Sequence, residues 1–235
     1  MPEHIALVTG ATAGIGRATA FALGRAGYRV GVCARTAARV EALVAELRAE
    51  GIPAAGRAAD VGRAEAVETL VRAITTELGP VDTLINNAGI AIFRPLTELS
   101  LEDWDATMAT NLRSLFLVTR AVLPGMVERK SGIIVNVASL AGKNPIAGGT
   151  AYAASKHAVL GFSKSLMLEV RKHGVRVLAI CPGSVDTALI RNIRPPSTQE
   201  GAMLQPEDVA QAILDAVRMP SRATVSEIDI RPANP

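Results

Sequence analysis

Two hydrophobic patterns alternate along the chain. Short apolar runs bounded by glycine, proline or asparagine are typical of buried β-strands, and longer amphipathic stretches are typical of helices. The strand-like runs are residues 5–9, 29–34, 53–59, 81–86, 132–138, 175–180 and 224–230. The helical stretches are residues 15–27, 36–50, 63–78, 100–130 and 150–173, and a last helix opens at residue 205. Strand and helix therefore follow each other throughout, with no linker and no repeat.

This alternation predicts an α/β fold. Right-handed strand–helix–strand connections produce a parallel sheet with helices on both faces. The core must be aliphatic, because 49% of the residues are hydrophobic and only 3% are aromatic. We expect one domain over residues 1–235, built as a doubly wound, mostly parallel seven-stranded sheet. Ligands of such sheets bind at the carboxyl ends of the strands.

Local signals set the expected helix boundaries. Thr36 and Ser100 are suited to cap the helices that follow them, and Glu102 and Asp103 add negative charge to a first helical turn. Pro124 should break or kink the helix over residues 100–130.

Composition and charge exclude several classes of protein. The net charge is +3, from 25 basic and 22 acidic residues without a polybasic run, which argues against nucleic-acid binding. No apolar stretch is long enough to cross a membrane, and no signal peptide is visible, so we expect a cytoplasmic protein. Cys33 and Cys181 lie in apolar strands, and no cysteine–histidine cluster has metal-ligand spacing, so no metal is expected.

The connection after the first strand is rich in glycine. Gly10, Gly14 and Gly16 have the spacing Gly-x-x-x-Gly-x-Gly, and a helix begins there. Glycines permit close backbone approach to a pyrophosphate, and a helix N-terminus offers free N–H groups. A plain glycine-rich turn would have the same spacing, but the position after the first strand favours a dinucleotide site.

The end of the second strand indicates which dinucleotide binds. An acidic residue there would hold the ribose 2′-hydroxyl of NAD, whereas an arginine would pair with the 2′-phosphate of NADP. Ala34 stands at the acid position and Arg35 follows it. Because guanidinium–phosphate pairs are charge-assisted and can be bidentate, we expect NADP(H) to be favoured over NAD(H).

A tyrosine and a lysine four residues apart suggest acid–base chemistry. In a helix, Tyr152 and Lys156 share one face, where a cation near the phenol would lower the phenol pKa and make proton transfer efficient. Ser139, at the end of the strand over residues 132–138, can converge with them on one carbonyl oxygen. A surface tyrosine beside a solvated lysine would show the same spacing, so this interpretation depends on the other motifs.

Together these motifs resemble those of the short-chain dehydrogenase/reductase family, in the family's order and over residues 5–230. They are Thr9-Gly10-x-x-x-Gly14-x-Gly16, Asp60, Asn86-Asn87-Ala88-Gly89, Asn111, Ser139, Tyr152-x-x-x-Lys156 and Pro182-Gly183. The resemblance implies a compact Rossmann fold. It also implies an NADP(H)-dependent oxidoreductase that interconverts a carbonyl and a secondary alcohol by hydride transfer.

The resemblance further implies roles for particular residues. Tyr152 would donate the proton in carbonyl reduction, and Lys156 would lower its pKa and hold the nicotinamide ribose. Ser139 would bind the substrate oxygen, and Asn111 would position a water. The implied cofactor contacts are Gly10, Thr12, Ala13, Gly14, Ile15, Gly16, Arg35, Asp60, Val61, Asn87, Ala88, Gly89, Tyr152, Lys156, Pro182, Gly183, Val185 and Thr187. Many NADP-preferring relatives carry a basic residue where Ala13 stands, so phosphate recognition would rest mainly on Arg35.

Other interpretations stay open. A cofactor-binding regulator without turnover would share the fold, although such relatives usually lack part of the catalytic set, and a halide-releasing lyase would need no nicotinamide. The substrate could be a small ketone, an aldehyde or a 3-oxoacyl thioester. Residues 90–99, 140–150 and 188–205 would decide among these substrates, and the last of the three stretches could form a lid.

The helix over 150–173 is apolar on more than one face. This surface predicts association with a partner, and the family resemblance implies a homodimer or homotetramer that associates through this helix and the one over 100–130.

Overall fold

The computed structural model describes residues 4–191 and 203–233. Seven strands in these residues form one sheet, in the order β3-β2-β1-β4-β5-β6-β7, and every neighbouring pair is parallel. The strands are β1 (Ile5–Thr9), β2 (Arg29–Ala34), β3 (Ala54–Ala58), β4 (Thr83–Asn86), β5 (Gly132–Val137), β6 (Val175–Pro182) and β7 (Glu227–Ile230). This order confirms the predicted doubly wound fold, because strands β1 to β3 are added towards one edge of the sheet and strands β4 to β7 towards the other.

Helices cover both faces of the sheet. They are α1 (Gly14–Arg25), α2 (Ala37–Ala49), α3 (Ala64–Leu78), α4 (Leu101–Met108), α5 (Ser114–Glu128), α6 (Thr150–Val170), α7 (Ala188–Arg191) and α8 (Pro206–Arg218). Aliphatic side chains of α1, α2 and α8 pack on one face in a single buried cluster. Those of α3, α5 and α6 form the cluster on the other face. The expectation of an aliphatic core is therefore confirmed.

The predicted helix over residues 100–130 is divided, but not by its proline. A π-helical segment, Ala109–Arg113, separates α4 from α5, and Pro124 lies inside α5, which continues to Glu128. Pro124 removes only the N–H that would bond to the carbonyl of Arg120, and Arg120 lies on the exposed side of the helix, where water can satisfy it. The expected break at Pro124 was therefore wrong, since the irregularity lies at Asn111.

The two predicted helix caps have different outcomes. The Ser100 hydroxyl accepts a hydrogen bond from the Asp103 N–H (3.1 Å), as predicted. Thr36 occupies the N-cap position of α2, but its side chain makes no capping hydrogen bond. The first N–H groups of α2 are therefore not satisfied by this side chain.

In residues 4–191 and 203–233, no helix is long and apolar enough to span a membrane. No group of histidine, cysteine, aspartate or glutamate in them could hold a metal ion. Cys33 and Cys181 are both buried and unpaired, as expected for small core residues.

Candidate active site

The carboxyl ends of the central strands open into a cavity of about 90 Å³. It is lined by ten of the residues singled out from the sequence: Ile15, Asn87, Gly89, Ser139, Tyr152, Lys156, Pro182, Gly183, Val185 and Thr187. It is also lined by five further residues. Ile90, Leu189 and Ile190 lie in the stretches expected to decide the substrate, whereas Val137 and Ala138 were not identified from the sequence. All five are apolar, and their type alone does not distinguish them from core residues.

The glycine loop leaves room for a ligand beside the backbone. Gly10 and Gly14 have positive φ values of 62° and 51°, which favour glycine. At Gly16, an added Cβ would lie 2.4 Å from Asn87 Nδ2 and 2.5 Å from the Gly10 carbonyl oxygen, so no larger residue fits. Helix α1 begins with Ala13 at its N-cap, without a side-chain cap and without an acidic residue in its first turn. Its free N–H groups and this cradle fit a pyrophosphate.

A hydrogen-bonded clamp joins the glycine loop to the end of β4. The Thr9 hydroxyl accepts from the N–H groups of Asn87 and Ala88, each at 3.0 Å. Asn87 Nδ2 donates to the carbonyls of Thr9 (2.9 Å) and Gly10 (3.1 Å). The clamp places Gly89 beside the catalytic candidates, because a Cβ on Gly89 would lie 3.7 Å from Lys156 Nζ.

The remaining cofactor candidates lie along the same edge of the sheet. Arg35 follows β2 directly and is exposed. Asp60 Oδ1 accepts a hydrogen bond from the Gly62 N–H (3.0 Å), and Val61 is buried in the core. A Cβ added to Gly14 would lie 2.9 Å from Thr187 Cγ2, so the glycine loop and the segment after β6 are in contact.

The three proposed catalytic side chains meet at the cavity. Tyr152 is 8% exposed and Lys156 is 5% exposed, and both line it. The Ser139 side chain lies beside that of Tyr152, close enough to influence the Tyr152 pKa through hydrogen bonding. Lys156 Nζ donates to the Val137 carbonyl (2.8 Å) and lies 5.8 Å from the centroid of the Tyr152 ring. The Phe93 ring also packs against that of Tyr152, with ring centroids 5.7 Å apart.

The pKa shifts of these groups have burial as their first cause. Burial raises the pKa of Tyr152, and the hydrogen bond with Ser139 partly offsets this. Burial lowers the pKa of Lys156 to about 8. The expected lowering of the Tyr152 pKa by Lys156 is therefore wrong for this structure. The reason is geometric, since the ammonium lies near the ring and donates its hydrogen bond to Val137.

Asn111 lies in the π-helical segment and is 3% exposed. Its amide accepts from the Ile90 N–H (2.8 Å) and donates to the Ile90 carbonyl (2.9 Å) and the Ser155 hydroxyl (3.0 Å). Asn111 therefore joins the segment after β4 to α6, one residue before Lys156. π-Helical segments are frequently found at functional sites, which agrees with this placement.

The suggested lid is only partly described. Residues 188–191 form α7, whose Leu189 and Ile190 line the cavity, and Val185 pairs with Leu204 in an isolated parallel bridge. Residues 192–202, which make up most of the rest of this stretch, lie outside the described residues.

Fold and site together define a dinucleotide-binding α/β protein, and comparison with known proteins gives its family. Residues 4–198 match the family model described as short chain dehydrogenase. A Streptomyces coelicolor protein, provisionally named a ketoacyl reductase, is 42% identical over 231 residues, covering 90% of this chain and 88% of that protein. A 3-oxoacyl-[acyl-carrier-protein] reductase of Synechocystis is 37% identical over 231 residues, covering 96% and 94%.

Solved structures agree with this assignment. A tryptophan variant of actinorhodin polyketide ketoreductase, solved with NADPH, has a TM-score of 0.91 and 38% identity, covering 98% of this chain and 96% of that one. An alcohol dehydrogenase from Thermococcus sibiricus, solved with 5-hydroxy-NADP, has a TM-score of 0.92 and 29% identity, covering 99% and 98%. The chain therefore belongs to the short-chain dehydrogenase family, and it is an oxidoreductase.

Proposed function

We propose that the chain is an NADP(H)-dependent reductase that converts a carbonyl into a secondary alcohol, with Tyr152 as the proton donor. The convergence of Ser139, Tyr152 and Lys156 on one cavity carries this proposal. Ketoacyl compounds are the favoured substrates, because similar proteins are named ketoacyl or 3-oxoacyl reductases.

The proposed chemistry assigns each group a separate task. When bound, NADPH supplies the hydride. The Ser139 and Tyr152 hydroxyls donate hydrogen bonds to the carbonyl oxygen and stabilise the negative charge that develops there. Tyr152 then passes its proton to that oxygen. Burial raises the pKa of Tyr152, which keeps the phenol in the protonated form that donates in carbonyl reduction.

The remaining residues hold the cofactor and supply protons. The N–H groups at the start of α1 would hold the pyrophosphate, Arg35 would pair with the 2′-phosphate, and Lys156 would hold the nicotinamide ribose. The predicted preference for NADP(H) over NAD(H) is confirmed by three similar structures, solved with NADPH, 5-hydroxy-NADP and NADP. Asn111, hydrogen-bonded beside Lys156, positions a water that relays protons from solvent.

Exposed apolar residues support the expected association. Phe116 on α5 and Leu168 on α6 are 45% and 58% exposed. We propose a homodimer or homotetramer formed through these two helices, acting in the cytoplasm. Sedimentation of the purified protein as a monomer would contradict the association.

Replacing the proposed proton donor tests this function. We expect Tyr152→Phe to lower kcat for ketoacyl substrates by a factor on the order of a hundred to ten thousand, because it removes the general acid. The NADPH Kd should stay within about twofold, since the ring is retained. Loss of NADPH absorbance measures turnover, and a thermal-shift titration measures cofactor binding.

Tyr28→Phe is the matched control, because Tyr28 is the chain's other tyrosine. It lies at the opposite end of the sheet, stacked on His4 with a centroid distance of 5.4 Å. Turnover should be unchanged in this variant. Retention of more than about a tenth of parental kcat by Tyr152→Phe would refute the role of Tyr152. Binding of NADPH without turnover of any carbonyl tested would favour a cofactor-binding regulator.

A further inference from the structure

One edge strand carries an ionic cluster next to the proposed active site. Glu227 and Asp229 are two residues apart on β7 and therefore lie on the same face of the sheet. Lys143 forms ion pairs with both carboxylates. The three side chains are only 28%, 25% and 34% exposed for Lys143, Glu227 and Asp229. Solvent therefore screens these pairs less than ordinary surface pairs.

Lys143 directly follows the turn that carries Ser139. Ser139 caps the 3₁₀ turn Leu140–Gly142, and its hydroxyl accepts a hydrogen bond from the Ala141 N–H at 3.1 Å. The turn also lies against α6, since a Cβ on Gly142 would be 2.8 Å from the Lys156 carbonyl oxygen. A movement of Lys143 would therefore displace Ser139 and press on the backbone of α6 at Lys156.

The Glu227 carboxylate also holds α6, the helix that carries Tyr152 and Lys156. Lys164 on α6, two turns beyond Lys156, lies 3.5 Å from the second oxygen of Glu227. Arg231 adds a weaker contact to Asp229, at 3.7 Å. Glu227 thus ties both the Ser139 turn and α6 to one point on the edge strand.

We propose that Lys143 is a positioning residue that, by bridging Glu227 and Asp229, fixes the Ser139 hydroxyl relative to the Tyr152 hydroxyl. This inference rests on the proposed function, because it matters only if the two hydroxyls act on one substrate oxygen. Lys143 itself does not line the cavity. It therefore acts through Ser139 and not on the substrate.

A double-mutant cycle between Lys143 and Ser139 tests the proposal. We expect Lys143→Met to lower kcat by about tenfold, because small displacements of a catalytic group are costly. The NADPH Kd should not change, and Lys143→Arg should recover most of the kcat. In a Ser139→Ala background, the further loss from Lys143→Met should shrink to less than about twofold, since residues acting through one group are not additive.

The pH dependence of kcat/KM provides a second test. It would not change if Lys143 only stabilised the fold. The hydrogen bond with Ser139 lowers the Tyr152 pKa, so displacing Ser139 should raise that pKa. In the alcohol-oxidation direction Tyr152 must be deprotonated, and the kcat/KM profile of Lys143→Met should therefore move to higher pH. The control is Arg25→Met, which breaks the exposed ion pair with Glu50 and should leave both kcat and the profile unchanged.

The results separate failure of this inference from failure of the proposed function. If the parental enzyme turns over a carbonyl but Lys143→Met is equally costly with and without Ser139, the positioning role is wrong. An unchanged kcat in Lys143→Met would overturn it as well. Absence of parental turnover would instead count against the proposed function. If Lys143→Met does not fold, the milder Asp229→Asn takes its place in the same cycle with the same criteria.

Discussion

Lys156 is a buried amine, and its burial has a measurable cost. It is 5% exposed, and burial lowers its pKa from 10.5 to about 8. Below the folded-state pKa the amine is protonated in both states, so folding bears the full cost of burying the charge. As pH rises through the interval between the two values, the folded protein loses this proton before the unfolded chain does. The free energy of unfolding therefore increases over that interval and levels off above it.

The size of the effect follows from the two pKa values. A shift of this size corresponds to about 3 kcal/mol over the whole interval, of which about 2 kcal/mol falls between pH 7 and pH 9.5. Lys156→Met removes the charge and keeps the length of the side chain. The free energy of unfolding of the parent, relative to the variant, should then increase by about 2 kcal/mol across this range.

Urea unfolding of both proteins without cofactor measures this difference. The comparison with the variant is essential, because burial also raises the pKa values of Tyr28, Cys33 and Cys181, which titrate in or above the same range. Tyr28 and Cys33 are common to both proteins, and their contributions cancel. Cys181 interacts electrostatically with Lys156, but burial raises its pKa to about 11, above the compared range. The variant also lacks the hydrogen bond from Lys156 to Val137. Its loss changes the difference in unfolding free energy by about 1 kcal/mol, as an offset that we treat as independent of pH. If this difference in unfolding free energy varies by less than about 0.5 kcal/mol with pH, burial does not lower the pKa of Lys156 as described.

Two further predictions concern the cofactor and the π-helical segment. Arg35→Ala should weaken NADPH binding on the order of ten- to a hundredfold and leave NADH binding nearly unchanged, since only NADPH carries the 2′-phosphate. Arg72→Ala, at an exposed position on α3, is the control, and equal kcat/KM for both cofactors in the parent would contradict the assignment. Asn111→Leu should lower the free energy of unfolding by about 3 kcal/mol, because it leaves the N–H and carbonyl of Ile90 without their partner. An unchanged urea midpoint would show that water replaces these bonds.

The fold could be predicted from the sequence because its signals are local. Apolar runs such as Ile5–Thr9 and Gly132–Val137 are short, continuous and bounded by glycine or polar residues, and all seven predicted strands are present. The glycine loop is equally local, since its spacing and its position after β1 are visible in one short stretch. Both signals depend on neighbouring residues and do not require knowledge of the packed structure.

The errors concern features set by distant contacts. Whether Pro124 ends a helix depends on which side of α5 faces solvent, and the π-helical segment at Asn111 depends on its bonds to Ile90 and Ser155. The pKa of Tyr152 depends on where Lys156 points in three dimensions, and the four-residue spacing could not reveal that the ammonium bonds to a main-chain carbonyl.

The ionic cluster on β7 illustrates the same limit. A lysine after the Ser139 turn and two acids in the last strand are separated by more than eighty positions in the chain, as their hydrogen bond spans 86 residues. Alternating acids on a strand could have suggested a shared face. Nothing in the sequence indicated which basic side chain would form ion pairs with these two carboxylates.

The position of α6 requires directional bonds, because its apolar surface cannot set it. Aliphatic contacts tolerate small rotations and shifts, whereas a buried hydrogen bond is lost when its partner moves. Two serines of this helix are buried and bonded: Ser155 to Asn111 (3.0 Å) and Ser163 to Asn136 (2.9 Å). Asn136 in turn accepts from Asn86 (2.9 Å), which links the helix to β4 and β5. These bonds hold the helix at two levels, on either side of Lys156, so the proposed catalytic pair Tyr152 and Lys156 is positioned by the same polar network that joins the central strands.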